Sequence, residues 1–408
     1  MKRIVAFLTL LMILVSSTAF AEGVVIIGEK NKAQDTHNRA ECVSGPHKSG
    51  YWEYYLLDDG TAEISGHDYE NHKPDTLTVP ATLDGYQVSS IGYNGVWGYS
   101  ATIIIPDSVQ NVLEAPVIAG YCKKISVSPD HPTLATINGV LFNKEHKRLL
   151  WYPPKKTDSS YAIPNGIREI AHHAFELGGS LQSVTIPDTV VRIDGNPFNG
   201  LYKLTRISVS DSHPNLVMKG NALIDQDTGT LHTYLISSNA ETFTVPDGVT
   251  DIAPRAFMYA KPQTIVFPEG LASIGEKAFW NCNSRLTLSL PEGLTYIGPD
   301  AFAYSQYITS VQFPSTLEVI GDGAFRGTKL GTVTLPDGLV SIGNRAFSDE
   351  DGVGAINVTI PASVEYIGKN AFRRDVILTV EHDSYAQQYA RSNNYEYTYP
   401  DSLDWLLD

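Results

Sequence analysis

The sequence predicts a β-rich solenoid, a stack of coils of mostly 22 or 23 residues closed by a cap at each end. Two observations carry this. A proline recurs at Pro164, Pro187, Pro246, Pro268, Pro291, Pro314, Pro336 and Pro361. Five of the seven gaps are 22 or 23 residues, one is 25, and the last, 59, holds an insertion. Each proline also brings the same followers: an aliphatic residue three places on, an isoleucine at six, and a phenylalanine at eleven, usually preceded by alanine. From Pro291 these are Leu294, Ile297, Ala301 and Phe302; from Pro314 they are Leu317, Ile320, Ala324 and Phe325.

Taken in chain order, residues 1–21 read as a secretory signal. Lys2 and Arg3 precede the apolar run Ile4–Val15, and Ala19-Phe20-Ala21 is a small-x-small cleavage site. The run is short for a spanning helix, no second one follows, and the mature chain is expected to start at Glu22, outside the cytoplasm and not inserted in a membrane. Residues 22–75 form the N-terminal segment and cap. Glu22–Gly50 is polar and expected to be partly loose, whereas Tyr51–Leu57, the turn Asp58-Asp59-Gly60 and Thr61–Ile64 read as a hairpin.

Residues 76–380 form the array. The stretch before each proline alternates, as in Val184-Thr185-Ile186 and Val333-Thr334-Leu335, which marks a strand. Proline ends it because it has no N–H for the ladder. Acid-glycine pairs such as Glu292-Gly293 and Asp337-Gly338 then supply turn chemistry. The isoleucine and Ala-Phe steps are expected to point inward, with the phenylalanines stacked into a spine. Two long units, Pro106 to Pro164 and Pro187 to Pro246, resemble each other. Each is expected to carry a hairpin, with turns near Asn143–His146 and Asp225–Thr228, and each replaces the usual alanine by proline, at Pro116 and Pro197. Residues 381–408 form the C-terminal cap: a helix over Ser384–Asn393, a strand over Tyr395–Tyr399, and an apolar plug at Trp405, Leu406 and Leu407.

Composition narrows the function. A hydrophobic content of 42% supports a sizeable core. The net charge of −15 becomes −17 once Lys2 and Arg3 are removed, which argues against nucleic acid and anionic membranes as partners. Three cysteines make no disulfide framework. Cys122 and Cys282 occupy the same step of two repeats and are expected to be buried structural residues, while Cys42 lies outside the array.

The pattern Leu-Pro-x-Gly-Leu-x-x-Ile-Gly-x-x-Ala-Phe, at Leu290–Phe302 and Leu335–Phe347, resembles the leucine-rich repeats of BspA-type bacterial surface proteins. The similarity extends to Leu56–Ile64, to Asn138-Gly-Val-Leu-Phe and to the Ser384-Tyr385-Ala386…Tyr389-Ala390 ending, covering roughly residues 51–399. The resemblance implies a right-handed leucine-rich repeat solenoid in an exported protein, and some members of the family are adhesins. This chain departs from the larger members in ending at Asp408 without a sorting motif or appended immunoglobulin-like modules, which argues against wall anchoring.

Catalysis requires convergent groups with shifted pKa values. The residues two and four before each proline, among them Thr76 and Thr78, Ser183 and Thr185, and Thr332 and Thr334, should face outward as a carpet of hydroxyls with no acid, base or histidine. His172-His173 falls on steps held elsewhere by Glu276-Lys277 and is expected to be exposed, with no third ligand for a metal. No metal and no cofactor are expected. The candidate binding residues are aromatic and follow the phenylalanine step: Trp97, Tyr202, Tyr259, Trp280, Tyr304 and Tyr307. Exposed on a rigid scaffold they suit protein or sugar recognition; otherwise they pad the coil-to-coil packing. The expected function is a non-enzymatic, adhesin-like binding module, secreted or at the cell surface, for an extracellular protein or surface glycan. The alternatives are an envelope scaffold and a carbohydrate-active enzyme, and the last would need a deep acidic cleft.

Overall fold

Each coil of the array carries two short strands, and each strand pairs with its equivalent one coil away. The computed structural model describes residues 40–92, 95–96, 98–113, 120–238, 240–282, 287–348 and 355–400. The expected signal peptide, Trp97, Pro116 and the plug at Trp405–Leu407 lie outside them. The strand before the proline behaves as its alternation dictates. Thr332–Thr334 pairs in parallel with Asn357–Ile360, and that with Ile377–Val380, in register Val333↔Val358↔Leu378. The middle residues are buried, and the outward residues Thr78, Thr185, Thr244, Gln312 and Thr334 are exposed.

The second strand was not expected. It has two residues and ends at the isoleucine six places after the proline. Ile252, Ile274, Ile297, Ile320, Ile342 and Ile367 stand in register across successive coils. These strands complete a nine-stranded sheet that begins at Leu216–Lys219 and ends at Tyr366–Ile367. The residue after the isoleucine closes the contact: the amides of Gly298, Gly321 and Gly343 each donate to the carbonyl of the previous coil's isoleucine at 2.8 Å.

Between the nine-stranded sheet and the strands before the prolines runs the phenylalanine spine. Phe257, Phe279, Phe302, Phe325, Phe347 and Phe372 are fully buried or nearly so. Their ring centroids lie 4.8 to 5.8 Å apart, with interplanar angles of 17° or less. Parallel-displaced stacking at this separation adds to the area term of burying each ring.

Each long unit carries the expected hairpin, extended to three antiparallel strands. They are Leu134–Ile137, Val140–Asn143 and Arg148–Trp151 in the first, and Leu216–Lys219, Ala222–Asp225 and Thr230–Tyr234 in the second. Asn143 Oδ1 accepts from the His146 amide, and Asp225 Oδ1 from the Asp227 amide, which sets the two turns. The last strand of each meander then runs parallel to the next coil, as Leu149↔Ile170 and Leu231↔Ile252. Tyr152 and Tyr234 take the phenylalanine step there, stacking on Phe175 and Phe257 at 5.4 and 5.0 Å. The insertions thereby divide the stack into segments with separate apolar clusters.

The N-terminal hairpin forms from Trp52–Leu57 and Ala62–His67. Cys42–Ser49, expected to be loose, is instead a strand paired antiparallel to Trp52–Leu57, with register shifts on both sides of Ser44. At the other end the helix is Tyr385–Ser392. Ser384 Oγ accepts from the Gln387 amide as N-cap, Asn393 ends the helix, and Ala386, Tyr389 and Ala390 are buried. The strand Glu396–Thr398 then closes the sheet. Among the described residues, no helix is long and apolar enough to cross a membrane.

Candidate functional site

Past its phenylalanine the chain leaves the core and turns along one edge of the stack. Two places later the backbone enters the left-handed region, at Tyr259 with φ 62° and Tyr304 with φ 58°. Bulky residues rarely adopt this conformation. The turn is held by one hydrogen bond per coil: the amides of Tyr259, Asn281 and Tyr304 donate to the carbonyls of Trp280, Ala303 and Arg326. Side chains on this edge are therefore brought into a row.

The structure brings together four of the six sequence-derived candidates. Tyr202 lies 5.9 Å from Tyr259, Tyr259 lies 5.2 Å from Trp280 at 88°, and Trp280 lies 5.8 Å from Tyr304 at 78°, all between ring centroids. The Arg326 guanidinium, 5.0 Å from the centre of Tyr304, extends the row by a cation–π contact. It also binds Asp300 at 3.0 Å. Burial raises the Asp300 carboxyl, with Arg326 and Lys277 acting against it. Tyr202 is 60% exposed, and Tyr259, Trp280 and Tyr304 are half-buried. The rings thus pack coil against coil and still form surface. Burial raises the Tyr259 phenol, and the neighbouring Tyr202 adds to that. Tyr307 is 49% exposed and stands outside the row, and Trp97 is outside the described residues.

Histidines 172 and 173 correct the expectation of solvent exposure: His173 is buried and His172 half-buried. The step is the same as that of Glu276-Lys277, but the insertion changes its surroundings. Arg255 reaches back from beyond the second long unit, its Nη1 against Nε2 of His173 and 3.4 Å from Nε2 of His172. Glu176 lies 3.0 Å from His173 Nδ1. Burial lowers the pKa of both histidines, and for His173 the Glu176 carboxylate opposes this. A neutral His173 with its proton on Nδ1 donates to Glu176 and accepts from Arg255, which satisfies all three groups. Close by, the buried Arg148 binds Asp194 at 2.5 Å. This polar seam was invisible in the repeat pattern. Among the described residues, no group of three histidine, cysteine or acidic side chains could hold a metal ion.

Cys122 and Cys282 are buried as their shared step implies, and Cys42 is exposed. An open hollow of about 480 Å³ lies on the strand face, lined by Asn165, Thr185, Asp188, Ser208 and Ser210 among others. Asp188 is its one carboxylate.

No curated protein matches the chain. Among solved structures, the pneumococcal vaccine antigen PcpA is similar over 89% of this chain and 100% of its own, at 15% identity and a TM-score of 0.51. That likeness shows the fold alone. A leucine-rich repeat protein from Eubacterium ventriosum matches at 17% identity over 80% of this chain and 93% of its own, with a TM-score of 0.44. A leucine rich cell surface protein from Faecalibacterium prausnitzii matches at 16% over 90% and 97%, with a TM-score of 0.39. Residues 156–218 and 232–354 match six copies of the BspA type leucine rich repeat region. With the coil period, the stacked Ala-Phe steps and this match together, residues 156–218 and 232–354 of the solenoid are BspA-type leucine-rich repeats.

Proposed function

We propose that the chain is an adhesin-like binding module, non-enzymatic and exported after cleavage near Ala21, that recognises an extracellular protein or a surface glycan. The supporting observation is the row Tyr202–Tyr259–Trp280–Tyr304, a partly exposed aromatic strip on the edge of a stack whose coils are tied by hydrogen bonds. Rigid aromatic side chains bury large areas on binding at a small cost in conformational entropy, and tyrosine and tryptophan dominate interface hot spots.

The test is binding of residues 22–408 to a panel of matrix proteins and glycans, beside the variant Tyr259→Ala, Trp280→Ala, Tyr304→Ala. Alanine keeps the Cβ of the left-handed positions, so the backbone strain is unchanged. Saturable binding that disappears in a folded variant supports the proposal. Binding that persists moves the site to the hydroxyl face or the meanders. No binding, together with self-association or co-purification with envelope components, replaces the proposal with an envelope scaffold.

A further inference from the structure

A second aromatic cluster lies near the N-terminal end, far along the sequence from the row just described. The strands Thr76–Thr78, Thr102–Ile104 and Lys124–Ser126 pair in register Leu77↔Ile103↔Ile125. Four residues before each register position stand Lys73, Tyr99 and Tyr121. The Lys73 ammonium is 5.1 Å from the centre of the Tyr99 ring, and the Tyr99 and Tyr121 rings are 4.9 Å apart. The Lys155 ammonium is 5.6 Å from the centre of Tyr121. Backbone bonds fix this column: Lys123 N–H donates to the Ala101 carbonyl and Lys155 N–H to the Cys122 carbonyl, both at 2.8 Å.

Tyr99 is 48% and Tyr121 53% exposed, and Lys73, Lys123, Lys124 and Lys155 are all exposed. The chain has 45 acidic against 30 basic residues, so carboxylate partners are in surplus. Even so, none of these four lysines makes an ion pair among the described residues, whereas the adjacent Lys156 binds Asp158 at 3.2 Å. Positive charge is therefore concentrated around two exposed rings on an otherwise acidic molecule, which steers anions to this place.

We propose that Tyr99 and Tyr121, with Lys73, Lys123, Lys124 and Lys155, bind an anionic polysaccharide, a chain bearing carboxylate or sulfate groups. The column offers about one cation or ring per coil, at the roughly 4.8 Å spacing of neighbouring strands, which suits a polymer that repeats its own charge. Lys124 stands in register with Thr102 and Thr76, so hydroxyls that match sugar hydroxyls adjoin the cations. The site is separate from the Tyr202–Tyr304 row and stands or falls without it.

The experiment is calorimetric titration of residues 22–408 with a heparin oligosaccharide, with polygalacturonate and with polyglutamate, at low and at physiological salt. Binding of heparin or polygalacturonate should weaken with salt. It should fall roughly tenfold or more in Lys123→Gln, Lys124→Gln, Lys155→Gln, and also weaken in Tyr99→Ala, Tyr121→Ala. The variant Tyr259→Ala, Trp280→Ala, Tyr304→Ala should bind these chains as the parent does, which separates this site from the first. The absence of binding to both polysaccharides overturns the proposal. So does unchanged affinity in the folded lysine variant, and so does equally tight binding of polyglutamate, which would reassign the patch to acidic peptides.

Discussion

Gly321 sits so close to the previous coil that a Cβ on it would stand 2.6 Å from the backbone nitrogen of Pro299. Its own amide donates to the Ile297 carbonyl at 2.8 Å, so the residue cannot back away without breaking the second sheet. Gly321→Ala should therefore destabilise the protein by about 1–3 kcal/mol through overpacking. Gly331→Ala is the control, because a Cβ there meets nothing within 4 Å. Its effect should stay within about 0.5 kcal/mol, with urea unfolding midpoints making the comparison.

Phe302 carries the second prediction. It is fully buried and stacks on Phe279 at 5.1 Å and on Phe325 at 5.2 Å. Phe302→Ala removes both stacks and leaves a cavity, at a cost of about 3–5 kcal/mol. In a solenoid each coil contacts its neighbours alone, so the loss should be felt locally before it is felt globally. Hydrogen exchange should show faster opening across the coils from Phe279 to Phe325 than around Tyr152–Phe175. Uniform acceleration along the chain would contradict the local picture.

What the sequence could reveal follows from how each feature is encoded. The spine and the buried Cys122 and Cys282 each have a residue type fixed by position, so a repeat pattern exposes them. The second sheet has strands of two residues such as Ser273–Ile274, too short to show any alternation, and its bonds run wholly between coils. His172 and His173 were misread because analogy with Glu276-Lys277 assumes an uninterrupted neighbour. The second insertion instead brings Arg255 against them. Cys42–Ser49 contains Gly45-Pro46 and is exposed over most of its length, so no strand periodicity survives in it. The aromatic candidates were legible as a cluster, but the exclusion of Tyr307 depends on the path of the turn after Phe302.

Thiol chemistry offers a third prediction. Burial pushes the Cys122 thiol up to about 12, against a lowering from a backbone hydrogen bond at Lys124. Cys282 is 1% exposed, and its sulfur faces the Ala260 carbonyl at 3.4 Å. The thiolate is the nucleophile that attacks thiol reagents, and it must be accessible to them. Of the three cysteines, Cys42 alone should react with a chromogenic disulfide in the native protein, giving one equivalent, and three should react after denaturation. A second fast equivalent in the native state would show that one of these coils opens readily.

The seam around His173 gives the protein a pH dependence whose sign is fixed. Burial holds His172, His173 and His232 below the ordinary imidazole value of 6.5. As pH falls through 6.5 the unfolded chain takes up protons that the folded chain refuses, so stability is full above that value and is lost below it. Burial works to raise the Glu176 carboxyl, but the hydrogen bond from His173 and the charge of Arg255 bring it below its usual 4.5, so its contribution is lost at still lower pH. The melting temperature should therefore be lower at about pH 5.5 than at about pH 7.5. His173→Asn should reduce that difference. Asparagine tolerates the left-handed backbone of His173, φ 64°, and Asn370 occupies the same step of a later coil at φ 54°. A slope unchanged in the variant would mean that folding does not shift His173, and a steeper slope in the variant would mean that His173 is protonated in the folded state and paired as an ion with Glu176.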